Sequence, residues 1–419
     1  MPGTWLLGAQ RTAADEEQAE EVRPRAVLLG LRGDGGGTGG GGAGDDGAGT
    51  AGGDGASTAG DDGARPDVVH DPLDELERLA ETDGVEVTGR VVQARRHPDP
   101  ATYLGSGKVE ELAGMVRDRD AGIVIADGEL SPAQVRNLED RLGARVVDRT
   151  ALILDIFAQH ARSSEGKAQV ELAQLAYQLP RLRGQGTAMS RVGGGRTAGG
   201  AGMGVRGPGE MRLESQRRHL RNRMTTLRRR VAETARRRER TRSRRRHNRV
   251  PSVAITGYTN AGKSALLNRL TGADVLVQDL LFATLDPTVR RARTPDGVEY
   301  TLADTVGFVR HLPHQLVDAF HSTLEEVVHA DLILHVVDAS APDAMDQVTA
   351  VHGVLYEIGA RDRPELLALN KTDIAPPEWV AALRACYPSG VPVSARTGEG
   401  VEELRTAIQQ ALDREHPAR

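Results

Sequence analysis

The sequence predicts an α/β chain in three parts: a small α/β domain, an antiparallel helical hairpin, and a larger doubly wound α/β domain. Three observations carry that prediction. Short apolar strands alternate with amphipathic helices over residues 25–147, and again over 252–412. Between these stretches the apolar period changes to three- and four-residue steps, the spacing of packed helices. Two glycine-rich tracts, 33–65 and 184–209, interrupt the pattern and mark an insertion and a hairpin loop.

Residues 1–24 read as a flexible N-terminus, and Arg25–Leu31 as a buried strand. Gly33–Ala64 holds no large apolar residue. It cannot bury enough surface to offset its ordering entropy, so it reads as a disordered insertion in the first crossover. Leu73, Leu76 and Leu79 then predict a helix, Val85–Val92 a strand, Val109–Val116 a helix and Ile123–Ile125 a strand. Ser131 is placed to cap a helix running to about Leu142, and Arg145–Val147 is a further strand. These elements make an N-terminal domain over 25–164. The hairpin follows over 165–249. Its first helix carries Leu172, Leu175, Leu179 and Leu182 on one face; its second, about Glu210 to Arg246, carries Leu213, Leu220 and Leu227 seven apart, with Met224 and Val231 in the seam. Pro251 opens the last domain, 250–413, with strands at Val253–Thr256, Leu332–Val337, Leu366–Leu369 and Val391–Val393, and 414–419 is a short tail.

Composition excludes several classes. Aromatic residues are only 3% of the chain, so its cores must rest on Leu, Val, Ile and Ala. The single cysteine, Cys386, rules out an internal disulfide, fits a reducing cytoplasm, and reads as structural. No apolar run approaches the roughly 20 residues that span a bilayer, and the start lacks a secretory pattern, so a soluble cytoplasmic monomer without membrane insertion is expected. A net charge of −5 names no partner.

The chemistry is concentrated in the last domain. Gly257, Tyr258, Thr259, Asn260, Ala261, Gly262, Lys263 and Ser264 form the pattern G-x-x-x-x-G-K-S directly after a strand and before a helix. In that context small residues let successive N–H groups surround phosphates, and the helix N-terminus adds a favourable field. Lys263 would reach the β- and γ-phosphates, and the Ser264 hydroxyl would ligate Mg²⁺. Asn370, Lys371, Thr372 and Asp373 follow a strand and separate guanine from adenine: the Asp373 carboxylate can accept from both the ring N–H and the exocyclic amine of guanine. Asn370 would secure the loop, the Lys371 stem would lie over the ring, and Ser394, Ala395 and Arg396 fit the segment that donates to the guanine oxygen. Asp304, Thr305, Val306 and Gly307 end another strand. There Asp304 would hold Mg²⁺ through water, and the Gly307 N–H would sense the γ-phosphate. Lys263 and Gly307 are the catalytic candidates. Phe282, Ala283, Thr284, Leu285 and Asp286 form the first switch loop, in which Thr284 is favoured over Thr288 to complete the metal shell. These motifs, in this order, predict a P-loop GTPase with a Ras-like doubly wound sheet that hydrolyses GTP to GDP.

Beyond those motifs, Leu104 to Lys108, Glu129 to Gln134, Asp148 to Gln159, Arg206 to Glu210, Phe282 to Thr288 and Asp304 to Phe308 closely resemble the HflX family of translation-factor-type GTPases. The resemblance implies binding to the large ribosomal subunit and its RNA, dissociation of stalled or idle ribosomes, and a second, less specific nucleotide site in the N-terminal domain. The chain departs from the family at Met211 and Arg212, where members commonly have Thr-Gln, and it ends soon after a helix at Val401–Leu412, where many members continue into another domain.

The second hairpin helix carries Arg217, Arg218, Arg221, Arg223, Arg228 to Arg230, Arg236 to Arg238, Arg240, Arg242, Arg244 to Arg246 and Arg249, opposed only by Glu214, Glu233 and Glu239. A solvated coiled face is the plain reading. The scarcity of acids favours a polyanionic partner, and RNA supplies one. Gly105, Gly107 and Lys108 imitate a phosphate loop, but Thr102 and Val109 break the pattern. Only four of 54 basic residues are lysine, and two lie in the nucleotide motifs, which makes Lys108 and Lys167 candidates for phosphate contact. His311 and His314 read as exposed loop histidines. The competing function is an RNA-binding or RNA-remodelling scaffold in which GTP is mainly a conformational ligand.

Overall fold

The computed structural model describes residues 23–32, 71, 73–182, 208–247, 250–272, 281–282, 285, 288–310 and 321–415. The tract 33–65, most of 184–209, both chain ends, Ala283, Thr284, Asp286, His311 and His314 lie outside the described residues.

The N-terminal sheet has the order β2-β1-β3-β4 and is parallel throughout, from β1 (Arg25–Arg32), β2 (Glu86–Ala94), β3 (Ile123–Ala126) and β4 (Arg145–Asp148). The period of two along β1 divides its side chains between two cores. Val27 and Leu29 pack with Leu104, Leu112 and Leu138 beneath α2 (Ser106–Asp118) and α3 (Pro132–Leu142). Ala26 and Leu28 face α1 (Asp74–Thr82) and α4 (Arg149–His160). Ser131 caps α3 as expected: its hydroxyl accepts from the Gln134 N–H, and the Gln134 side chain returns the bond to the Ser131 N–H.

Helix α4, for which periodicity gave no element, is buried on nearly every side, so it lacks the amphipathic stripe that marks a surface helix. It begins at Asp148, which is fully buried and accepts the Ala151 N–H at 2.9 Å. The same carboxylate takes Tyr177 Oη and Arg181 Nη2, each at 2.8 Å, from α5 (Ser164–Arg181), and the Arg181 guanidinium lies 3.4 Å over the Tyr177 ring. One buried anion thus fastens the hairpin to the first sheet. Helix α5 uses two stripes. Val170, Ala173 and Tyr177 enter the N-terminal core, while Ala168, Leu172, Leu175 and Leu179 meet Leu220, Met224, Leu227 and Val231 of α6 (Pro208–His247). Leu182 is the C-cap residue and lies outside that seam.

The second sheet has the order β10-β9-β8-β5-β7-β6, parallel except for the edge strand β6. Its strands are β5 (Ser252–Gly257), β6 (Thr288–Arg293), β7 (Glu299–Asp304), β8 (Leu332–Asp338), β9 (Glu365–Asn370) and β10 (Val391–Pro392). Helices α7 (Lys263–Thr271), α8 (His321–Val328), α9 (Ala344–Glu357), α10 (Pro377–Cys386) and α11 (Val401–Glu415) complete the doubly wound layer. The two α/β regions are not separately packed. One apolar cluster runs from Leu28, Leu76 and Phe157 into Tyr258, Phe282, Val306, Phe308 and Val327.

One expectation needs correction: Cys386 is exposed and not packed. Lys108 donates to Glu111, 2.9 Å away in the next turn of α2. Among the described residues no helix is long and apolar enough to cross a membrane.

Phe157 is fully buried and meets the Phe282 ring edge-on at a centroid distance of 4.6 Å, joining the two regions. Phe157→Ala is expected to cost about 3–5 kcal/mol, seen as a lower urea midpoint. An unchanged midpoint would show that the shared core does not contribute to stability.

Candidate nucleotide site

Strand β5 delivers the chain into the loop Gly257 to Ser264. Gly262 sits at φ 91°, and a Cβ there would lie 2.3 Å from Asn370 Nδ2, so both backbone and space demand glycine. Helix α7 starts from Gly262 without any side-chain cap, which leaves its first N–H groups for an anion. The loop is braced from behind: the Thr259 N–H donates to Phe308 O at 2.7 Å, and the Phe308 N–H to Gly257 O at 3.1 Å.

Lys263 is only 7% exposed, and its ammonium donates to Tyr258 O at 2.7 Å and Gly257 O at 3.2 Å. Burial lowers its pKa to about 8, with nearby Asp304 opposing the shift. Ser264 Oγ donates to Asp304 Oδ2 at 2.7 Å. Gly307 lies against this group: a Cβ would come within 2.8 Å of Lys263 Nζ and Thr259 Cα. Lys263, Ser264, Asp304 and Gly307 therefore converge. Thr305 and Val306 do not join them through their side chains. The Thr305 hydroxyl donates to Ile255 O at 2.7 Å, and Val306 is buried in the shared core. Phe282 and Leu285 are likewise buried, and Thr288 begins β6.

At the other end, Asn370 works as a strut. Its Nδ2 donates to Ala261 O at 2.8 Å, and its Oδ1 accepts the Ala395 N–H at 2.9 Å, tying the phosphate loop to the loop after β10. Lys371 takes φ 64° and pairs with Asp338 at 2.7 Å, and the Thr372 N–H bonds Val393 O. The Asp373 carboxylate accepts from Ser394 Oγ at 2.7 Å and pairs with Arg396 at 2.6 Å. The Ser394 hydrogen bond, helped by Arg396, holds its pKa below the usual carboxylate range, so Asp373 stays ionised. Arg396 is 74% exposed and can swing away, freeing Asp373 Oδ2 while Oδ1 keeps the Ser394 bond and a further lone pair.

Contacts from the N-terminal region also reach this site. Tyr258 Oη donates to Glu75 Oε1 at 2.6 Å and accepts the Arg310 N–H at 2.7 Å. Glu75 also pairs with Arg149, a guanidinium only 4% exposed that reaches Asp127 as well. His160 Nδ1 lies 2.9 Å from Phe282 O. In sequence, Glu75 is one acid among several on an amphipathic helix, and nothing marks it as different. Between α1 and the phosphate loop lies a cleft of about 670 Å³, lined by Glu75, Arg78, Tyr258, Asn260, Arg310 and Lys371. That volume is within the range of ligand pockets.

Residues 70–158 match the family described as GTP-binding GTPase N-terminal, 160–245 the GTP-binding GTPase middle region, and 252–371 the 50S ribosome-binding GTPase family. The GTPase HflX of Caldanaerobacter subterraneus is 49% identical over 347 residues, covering 82% of this chain and 77% of that protein. The GTPase HflX of Escherichia coli is 46% identical over 345 residues, covering 82% and 79%. A GTP-binding protein from Sulfolobus solfataricus, solved with GDP, is 23% identical over 93% of this chain and 99% of its own, with a TM-score of 0.42.

Asp373→Asn replaces an acceptor-only carboxylate by an amide that can offer guanine one acceptor, not two. Guanine nucleotide affinity is expected to fall at least about tenfold, ~1.4 kcal/mol, measured by titration with a fluorescent GDP. Affinity equal to the parent's would remove Asp373 from the base site.

Proposed function

This chain belongs to the GTPase HflX family, and from that premise we propose that it acts on the large ribosomal subunit, dissociating stalled or idle ribosomes under the control of GTP. It works in this reading as a cytoplasmic monomer. The observation that carries the proposal is the relation of α6 to the GTPase region. Arg218, Arg221, Arg228, Arg229, Arg230, Arg236, Arg237, Arg240 and Arg244 are all exposed along this 40-residue helix, a surface suited to RNA phosphates. Near its C-terminal end Arg242 is buried and pairs with Glu326 at 3.0 Å and Glu325 at 3.5 Å, and Arg238 also reaches Glu325. Both acids belong to α8. The cationic surface and the nucleotide domain are therefore mechanically connected.

Within the nucleotide site, the loop Gly257 to Ser264 and the uncapped start of α7 would surround the phosphates, with Lys263 moving its ammonium from backbone carbonyls to phosphate oxygens. Ser264 Oγ and Asp304 Oδ2, 2.7 Å apart, are oxygen donors of the kind magnesium takes, so the residues present fit that ion, with Thr284 proposed to complete the set. Bound there, Mg²⁺ would neutralise developing phosphate charge. Gly307 would read the γ-phosphate through its N–H, while Asn370, Lys371, Asp373 and the segment Ser394 to Arg396 hold guanine.

Hydrolysis further requires an oriented water. Many GTPases place a glutamine after this glycine, and here the position is Phe308, 1% exposed and turned into the core. It offers the water nothing, so a group from the bound ribosomal particle is the natural source.

Purified large subunits are expected to raise GTP turnover at least about tenfold, ~1.4 kcal/mol of barrier, and added salt should erase the effect. Replacing Arg228, Arg229 and Arg230 together by glutamate should abolish stimulation and leave basal turnover intact. Equal turnover with and without particles at low salt would sink this reading in favour of an RNA-binding scaffold.

A further inference from the structure

A cluster of polar side chains outside the nucleotide site lies between the second sheet and α9. His335 is in the middle of β8, His352 on α9, and Glu365 is the first residue of β9. His335 Nδ1 stands 2.7 Å from Glu365 Oε1, and His352 Nε2 lies 3.1 and 3.0 Å from the two carboxylate oxygens. The two imidazole centroids are 5.6 Å apart, and all three donor atoms fall within 4.8 Å of one another. The His335 side chain is 1% exposed.

This position is unusual for such a group. The side chains that β8 and α9 otherwise send into this layer are apolar, among them Ile333, Val337, Val348 and Val351. A carboxylate and a buried imidazole lose solvation there that an apolar trio would not. Hydrogen bonds alone can offset part of that cost. A cation would offset more, because it satisfies all three donors at once.

The donor set also has a definite chemistry. Two imidazoles and one carboxylate are three protein ligands of the kind a zinc ion takes, with a fourth position left for water. The set is too poor in oxygen for Mg²⁺ or Ca²⁺ and too soft for their preference. Zinc bonds of about 2.0–2.1 Å at tetrahedral angles put neighbouring donors roughly 3.3 Å apart. Glu365 stands 2.7–3.1 Å from a nitrogen of each imidazole, near that value, and the imidazole donors lie within 4.8 Å of each other, so closing the site calls for side-chain adjustment. His352, at 41% exposure, opens the cluster to solvent and gives an ion its entry.

We propose that His335, His352 and Glu365 form a binding site for a zinc-class divalent ion, separate from the magnesium position at Ser264. The ion would join β8, α9 and β9. Those two strands run on to Asp338 and Asn370, paired in register, and the Lys371–Asp338 contact lies at their ends. The site would thus brace the part of the sheet that carries the base-recognition loop.

The test uses the full-length chain freed of metal by a chelator and saturated with Mg²⁺ and GDP, so that the nucleotide site is filled. Titration with Co²⁺ should give one equivalent bound, with the visible absorption of a four-coordinate site, and Zn²⁺ should displace it. His352→Ala, at a half-exposed position where folding is safe, should weaken Co²⁺ binding at least tenfold, and Glu365→Gln should do the same. Ser264→Ala should leave the cobalt spectrum unchanged. The proposal is overturned if the parent shows no such absorption, or if His352→Ala and Glu365→Gln both bind Co²⁺ as the parent does. In either case the cluster is a hydrogen-bonded clamp between helix and sheet.

Discussion

The Glu75 carboxylate is the contact on which the arrangement of the molecule depends. One oxygen takes the Tyr258 hydroxyl and lies 3.3 Å from the Arg310 N–H, while the other pairs with Arg149. Tyr258 belongs to the phosphate loop, Arg310 follows the glycine that faces Lys263, and Arg149 opens the buried helix α4. A single anion therefore joins a loop that must hold phosphate, a segment that must respond to it, and the N-terminal sheet. Burial raises the value of each bond and the cost of leaving any partner unpaired. The apolar cluster around Phe157, Phe282 and Phe308 surrounds this node, so polar and apolar contacts support the same junction.

A second anion does comparable service at the other face. Asp148 caps α4, accepts from Tyr177 and Arg181, and so orients α5 and, through its leucine seam, the arginine helix α6. From the phosphate loop the order is Glu75, Arg149, Asp148 and hairpin. Arg149 and Asp148 are adjacent in sequence, so the two nodes meet at one peptide. The ion pairs from Arg238 and Arg242 to α8 close the path on the opposite side.

Much of this was legible in the sequence where a local signal and a chemical need coincide. The strand Arg25–Leu31, the Ser131 cap and the convergence of Lys263, Ser264, Asp304 and Gly307 are of that kind. The leucine seam holds from Leu172 to Leu179 and from Leu220 to Val231, while Leu182 and Leu213, at its predicted ends, lie outside the packed cluster. What was missed has a common cause. Helix α4 is apolar all round, so periodicity is silent about it, and Glu75 resembles any surface acid until its partner 183 residues away is known. Cys386 was judged by composition and is exposed. The cluster of His335, His352 and Glu365 is assembled across β8, α9 and β9 at spacings that no local motif describes. Such features arise from tertiary packing, and a linear reading has no access to them.

The burial of Phe308 bears on how such a protein can change over time. Installing glutamine there, the amide that self-sufficient hydrolases use, would drive a polar group into the apolar cluster shared by the two regions, at a cost of a few kcal/mol if unsatisfied. Phe308 is also a brick in the wall between the two regions. In the proposed reading, independence from an outside activator is thus not one substitution away. An intermediate with the new amide would first have to survive a weakened junction. Slow turnover in isolation is, on this view, a property that the architecture itself protects from drift.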